Sequence, residues 1–432
     1  MNLKVTVSQP NLTVHRAVLP NGMVVLIQEN TAADIIAARI FIRAGSRWEK
    51  REEAGLSHLV SAVLTKGTDQ FSSLEIAERV ESVGASLSAD STTDYFLLSL
   101  KTVSSDFEEV LYLAGELLRA PTFPEAEIEL ERRLTLQAIR SQQEQPFTVA
   151  FDQLRQVMYQ DHPYALSGLG TEVTVAQLER SALVQYHQTH FRPDNIIISL
   201  SGRIQPDVAI ALVEKVFGDW SVPDSDLPKL TLPPVICQPM RKATLQDTQQ
   251  SIVMLGYLTP AVAATTPTLS EYTALKLLSS YLGNGLSSRL FVELREKRGL
   301  AYDVSGFYPT RLEPAQFVVY IGTAPTNTAI ALEGLQAEVD RLQTTSLTGE
   351  ELQSAQNKIL GQYALGKQTN AQLAHLYGWY ETLGLGIQFD QDFQEQVLAI
   401  TAEQARETAQ QYLRAPYVSL VGPESAIAGL TP

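Results

Sequence analysis

The strongest constraint on the fold of this chain is that its sequence of elements is read twice. In residues 38–202, segment 38–44 reads as a strand and 53–64 as a helix. Segment 73–83 is a second helix ended by Gly84, and 95–103 alternates apolar and polar residues as a half-buried strand does. Ser105 and Glu108 have capping-box spacing before a helix with apolar positions at 107, 110, 111, 114, 117 and 118. The order recurs as a strand at 252–257, a helix at 270–282, a helix at 287–298 ended by Gly299, a strand at 316–321 and a helix at 326–342. Segments 174–202 and 401–422 also correspond: each reads as a helix ending near a tyrosine, a turn, and a strand closing in glycine.

Between the halves stand Pro223, Pro228, Pro233, Pro234 and Pro239. Proline lacks the donor N–H that helices and central strands require, so 223–239 reads as an extended linker. The expected domains are 1–222 and 240–432. Helices and antiparallel-looking strands mix without strict β-α-β alternation. This predicts an α+β fold of two tandem homologous domains, each a mostly antiparallel sheet packed against helices on one face. The domains are expected to face each other across a cleft, where ligands commonly bind.

Composition removes several function classes. The chain has 33 basic and 48 acidic residues, a net charge of −15. It has no basic cluster of the kind nucleic-acid binders carry, and its acidity opposes an anionic membrane surface. Cys237 is the single cysteine and lies in the linker, which excludes an internal disulfide and any multi-cysteine metal site. No apolar run approaches the length of a transmembrane helix, so no membrane insertion is expected. The opening residues lack a basic stretch followed by an apolar block. The expected compartment is therefore the cytoplasm, or the periplasm if a signal peptide has been removed.

The sharpest local feature is 55–68, GLSHLVSAVLTKGT. A helical zinc site places a second ligand four residues after the first, but position 62 is Ala62, and Ser61 stands at i+3. Alone, His58 reads as a partly buried structural histidine. His187 and His190 read as a solvated helix end, and the charged run 49–53 as a solvated surface. The glycines of 282–285 read as a turn between helices, since no Gly-Lys-Ser/Thr follows.

Segment 55–68 resembles the helix of the pitrilysin/insulinase-type zinc peptidases, whose inverted motif is H-x-x-E-H. Leu19-Pro-Asn-Gly22 is similar to the family's opening turn. His162-Pro-Tyr164 with Gly168, Gly170 and Thr171, and Phe191-Arg-Pro-Asp-Asn195, are similar to its later signatures. So is 286–302, LSSRLFVELREKRGLAY. The likeness runs in family order over nearly the whole chain and is greatest to the processing-peptidase branch, whose chains work as pairs.

The resemblance implies that His58 occupies the first zinc-histidine position, Ser61 that of the catalytic glutamate and Ala62 that of the second histidine. Glu131 matches an accessory carboxylate. The third zinc ligand would stand two turns further along that helix, where this chain has Ala138. The expected cofactor of this chain is none, with zinc held by a partner subunit. Arg295 and Tyr302 match an arginine and a tyrosine that reach the bound peptide, and both can donate to a carbonyl or oxyanion. The resemblance thus implies a zinc-free, non-catalytic subunit that closes a peptide chamber against a homologous zinc-bearing peptidase subunit. The other reading is a scaffold or peptide-binding protein with no role in catalysis.

Overall fold

The computed structural model describes residues 5–9, 12–265 and 268–430; the remaining ends of the ranges 1–222 and 240–432 lie outside it. The chain divides into two compact units, described in turn.

Unit 1 comprises 1–139, 167–231 and 364–389. Its strands are β1 (Val5–Gln9), β2 (Leu12–Val18), β3 (Val24–Glu29), β4 (Ile35–Ile42), β5 (Ser86–Ser91), β6 (Phe96–Val103) and β7 (Ile196–Gly202), in the spatial order β1-β2-β3-β7-β4-β6-β5. The pair β3–β7 is parallel and the others antiparallel. Unit 2 comprises 140–166, 232–363 and 390–432. Its strands are β8 (Arg241–Leu245), β9 (Ser251–Thr259), β10 (Asp303–Phe307), β11 (Ala315–Thr323) and β12 (Tyr417–Gly422), ordered β10-β11-β9-β12-β8. Here β8–β12 is the parallel pair.

Removing β1 and β2 from unit 1 leaves β3-β7-β4-β6-β5, which matches β8-β12-β9-β11-β10 strand for strand, parallel pair included. The repeat read along the chain is therefore a repeat of topology: two homologous α+β units, each a mostly antiparallel sheet packed against helices.

The sheets differ from the expectation of one covered face. In β4, Ile40 and Ile42 join the core formed with helices Leu56–Val63 and Phe107–Arg119. Phe41, between them, points to the opposite face as the pleat requires, where it meets helix Asn370–Thr382: its ring centroid lies 5.4 Å from that of His375. With both faces covered, β4 is buried along most of its length instead of alternating. The helix approaches closely because Gly378 presents no side chain; a Cβ there would lie 2.4 Å from the Phe41 ring. Polar anchors hold its ends. Asn370 Nδ2 donates to Ile35 O at 2.9 Å, and Arg16 donates to Glu381 at 2.7 Å.

Unit 2 repeats the arrangement with helix Pro146–Tyr159 on β9 and β12. Leu154 and Met158 fill the space left by Gly256. Gln153 Nε2 donates to Lys242 O at 2.7 Å and to Ser419 Oγ at 2.9 Å, fixing the helix to the parallel strands. Each unit thus takes one helix from the other half of the sequence. The contiguous division at 222 and 240 does not describe this route, because the apolar face of each helix finds its match on a sheet built by the other half of the sequence.

Three local readings are corrected. The helix read at 53–64 is a 3₁₀ turn, Arg51–Glu53, followed by Leu56–Val63. The capping box at Ser105 does not form: a 3₁₀ turn occupies Ser104–Asp106, and Glu108 pairs with Lys215 at 2.5 Å. The helix end at His187 and His190 is buried, not solvated, with these residues 7% and 5% exposed. Its last turn lies under Phe123 and Phe191 at His187, and against Trp48 at His190.

Candidate functional site

In unit 1, helix Leu56–Val63 begins at Gly55, whose φ of 96° suits glycine. Glu49 caps it, accepting from the Gly55 N–H at 3.0 Å and the Ser57 N–H at 2.6 Å. These bonds satisfy donors that a helix start leaves open. Desolvation pushes the Glu49 carboxyl up to about 7, outweighing the hydrogen bonds that favour its charged form. Glu49 is thus an internal support of the motif helix, which corrects the reading of 49–53 as a solvated run at this residue. Nothing in its spacing announces the role.

His58 lies on this helix, and burial pushes its imidazole down from the ordinary value, against the opposing pull of Glu131 and Asp90. Ser61 is buried and donates to the His58 backbone carbonyl at 2.7 Å, so its hydroxyl is committed to its own helix. Ala62 offers a methyl group. Glu131 lies on helix Glu125–Gln143 and pairs with Lys66 at 3.0 Å, a partner that sequence reading missed. Ala138 is half-buried two turns along the same helix. Among the described residues, no group of three or more histidine, cysteine or carboxylate side chains is placed to hold a metal. The donors around His58 do not fit zinc, which needs at least three protein ligands in a catalytic site. A serine bonded to its own backbone cannot act as the water-activating base near neutral pH.

In unit 2, Arg295 sits on the π-helical segment Phe291–Lys297, and Tyr302 precedes β10. The turn between them is fixed by backbone bonds from Leu300 N to Leu294 O at 2.9 Å and from Tyr302 N to Gly322 O at 2.8 Å, with Gly299 at φ 62°. The Arg295 guanidinium lies 4.9 Å from the Phe291 ring centroid and is exposed, and Tyr302 is 61% exposed. A solvent-facing guanidinium and phenol retain their capacity to donate to a carbonyl or oxyanion.

Comparison with known proteins identifies the fold and the family. Residues 24–172 match the insulinase (peptidase M16) family model, and 177–359 match the model of the peptidase M16 inactive domain. The uncharacterized zinc protease YmxG of Bacillus subtilis is 27% identical over 386 residues, covering 86% of this chain and 90% of that one. The uncharacterized zinc protease ML0855 of Mycobacterium leprae is 26% identical, covering 95% and 92%. Two crystal structures share the fold at TM-score 0.87. One is a peptidase M16 inactive domain from Pseudomonas fluorescens, 24% identical, with 95% and 98% coverage. The other is a protease from Helicobacter pylori, 20% identical, with 95% and 99% coverage. With both family models matched in order on a duplicated α+β fold, the chain belongs to the insulinase family of peptidases, M16.

Proposed function

We propose that this chain is the zinc-free subunit of a two-chain metallopeptidase. It closes a peptide chamber against a homologous zinc-bearing subunit and supplies Arg295 and Tyr302 to peptide bound at the partner's zinc. One observation supports the reading: the positions that the resemblance assigns to the zinc ligands and the base hold Ser61, Ala62 and Ala138, while those it assigns to the peptide-binding pair hold Arg295 and Tyr302 with exposed side chains. A decayed enzyme has no reason to lose one set and keep the other. In the transition state the peptide carbonyl gains negative charge, and preorganised donors stabilise that charge more than the ground-state carbonyl. The expected compartment is the cytoplasm, or the periplasm if a signal peptide has been removed. No helix among the described residues is long and apolar enough to cross a membrane.

The test is isolation of the native complex from source cells and assay on unfolded peptides with and without a zinc chelator. A co-purifying homologue of similar size with chelator-sensitive cleavage, absent from this chain alone, is expected. Arg295→Ala or Tyr302→Phe in the assembled pair should lower turnover by about 10²-fold, as loss of one oxyanion donor does. Unchanged turnover in both variants refutes their role. A complex that cleaves nothing supports the scaffold reading.

A further inference from the structure

Unit 2 contains a cavity of about 320 Å³ that the reading above does not use. Its walls are the end of helix Thr268–Gly283, the segment 287–293, and the face of helix Gly349–Leu365 that carries Glu351 and Lys358 two turns apart. Two lining serines, Ser280 and Ser288, are 6% and 3% exposed, and their hydroxyls find no hydrogen-bond partner among the described residues. A buried hydroxyl without a partner is costly and is expected to meet a ligand or water.

The other polar groups of the wall are largely committed. Arg289 Nε donates to Glu338 at 2.6 Å, and the Tyr281 hydroxyl donates to Glu351 at 2.7 Å. Lys358 differs. Among the described residues no ion pair holds it, and its ammonium lies over Gly285, where a Cβ would be 3.3 Å from Nζ. Besides the exposed hydroxyls of Ser287 and Ser354, the uncommitted donors of the cavity are therefore one ammonium and two buried hydroxyls. Their complement is an anion with several acceptor lone pairs. The carboxylates of Glu293, Glu350 and Glu351 on the same wall oppose a dianion such as phosphate.

We infer that this cavity binds a small monocarboxylate, the size of an amino acid or dipeptide, with its carboxylate on Lys358 and the Ser280 and Ser288 hydroxyls donating to it. The volume lies at the lower end of the range for small-molecule sites. Segment 287–293 runs into the helix that carries Arg295, so an occupant stiffens that helix. Binding requires only this chain and does not depend on a partner subunit.

The test is titration of the purified chain with L-alanyl-L-alanine, its C-terminal amide and inorganic phosphate, by calorimetry and ligand-observed NMR. The dipeptide should bind, and the amide should bind about tenfold more weakly or less, the scale of one charge-assisted hydrogen bond. Lys358→Gln should lower dipeptide affinity by a similar factor. In the unsubstituted chain the dipeptide should slow amide exchange across 287–299. Equal binding of dipeptide and amide overturns the inference, as does stronger binding of phosphate, or no binding of the dipeptide at millimolar concentration. The amide comparison and the exchange measurement use the unsubstituted chain, so the inference stands or falls even if Lys358→Gln fails to fold.

Discussion

His187 and His190 make unit 1 sensitive to acid. Burial pushes both imidazoles down from 6.5 to about 4. His187 Nε2 lies 3.0 Å from the Leu118 carbonyl oxygen, so the neutral ring carries its proton there. Protonating the other nitrogen places a charge among Phe123, Phe191 and the sheet core. The unfolded chain binds these protons near pH 6.5 and the folded chain only near 4, so stability falls as pH drops through that window. At about pH 5 each histidine removes about 2 kcal/mol relative to pH 7, or about 4 kcal/mol for the pair. Glu49 acts oppositely. Its folded value of about 7 exceeds the ordinary 4.5, so it contributes stability at low pH that is lost as pH rises through 7. The clean measurement is therefore the difference between the native chain and the His187→Gln/His190→Phe variant, in which Glu49 cancels. Urea unfolding followed by tryptophan fluorescence reads unit 1 specifically, because Trp48, Trp220 and Trp379 all lie within it. The native chain should lose about 4 kcal/mol more than the variant between pH 7 and about pH 5. Parallel stability curves would refute the assignment of these rings as buried and neutral.

Two further outcomes follow from unit 1. Ser61→Glu, Ala62→His and Ala138→Glu together should confer near-stoichiometric zinc binding measured by atomic absorption, lost again on His58→Ala, because they complete a two-histidine, one-carboxylate set; absence of zinc in the folded triple variant would show that these positions do not converge on His58. Gly378→Ala should destabilise unit 1 by about 1–3 kcal/mol in urea unfolding, since the added methyl meets the Phe41 ring at 2.4 Å; an unchanged midpoint would mean that the helix shifts freely on the sheet.

The duplication was legible because turn glycines, strand alternation and helix ends are local signals that recur in order. The reading of an emptied motif rests on residue chemistry alone, since Ser61, Ala62 and Ala138 carry neither imidazole nor carboxylate whatever surrounds them. Contacts between distant segments were not. The apolar stripe of residues 146–159 shows that the helix is buried, but no periodicity names β9 and β12 as its partners. His187 and His190 look solvated in sequence because Trp48 and Phe123, which cover them, lie far away along the chain. Glu49 looks like one charge in a mixed run, and only the arrival of the Gly55 and Ser57 amides makes it a cap. The π-helical register at Arg295 likewise leaves no mark on the pattern that predicts an α-helix there.

The exchanged helices also bear on the order in which the molecule can be completed during synthesis. The outer face of β4 and β7 is covered by Asn370–Thr382, which leaves the ribosome only after most of unit 2 has been made. Helix Pro146–Tyr159 in turn emerges before any strand of the sheet it will cover. Neither unit can close as an independent N-terminal product, and each nascent half carries an apolar surface awaiting the other. Severing the chain anywhere in 223–239 after folding would leave every unit composed of both fragments, so the halves could not part without drawing a helix out of each sheet.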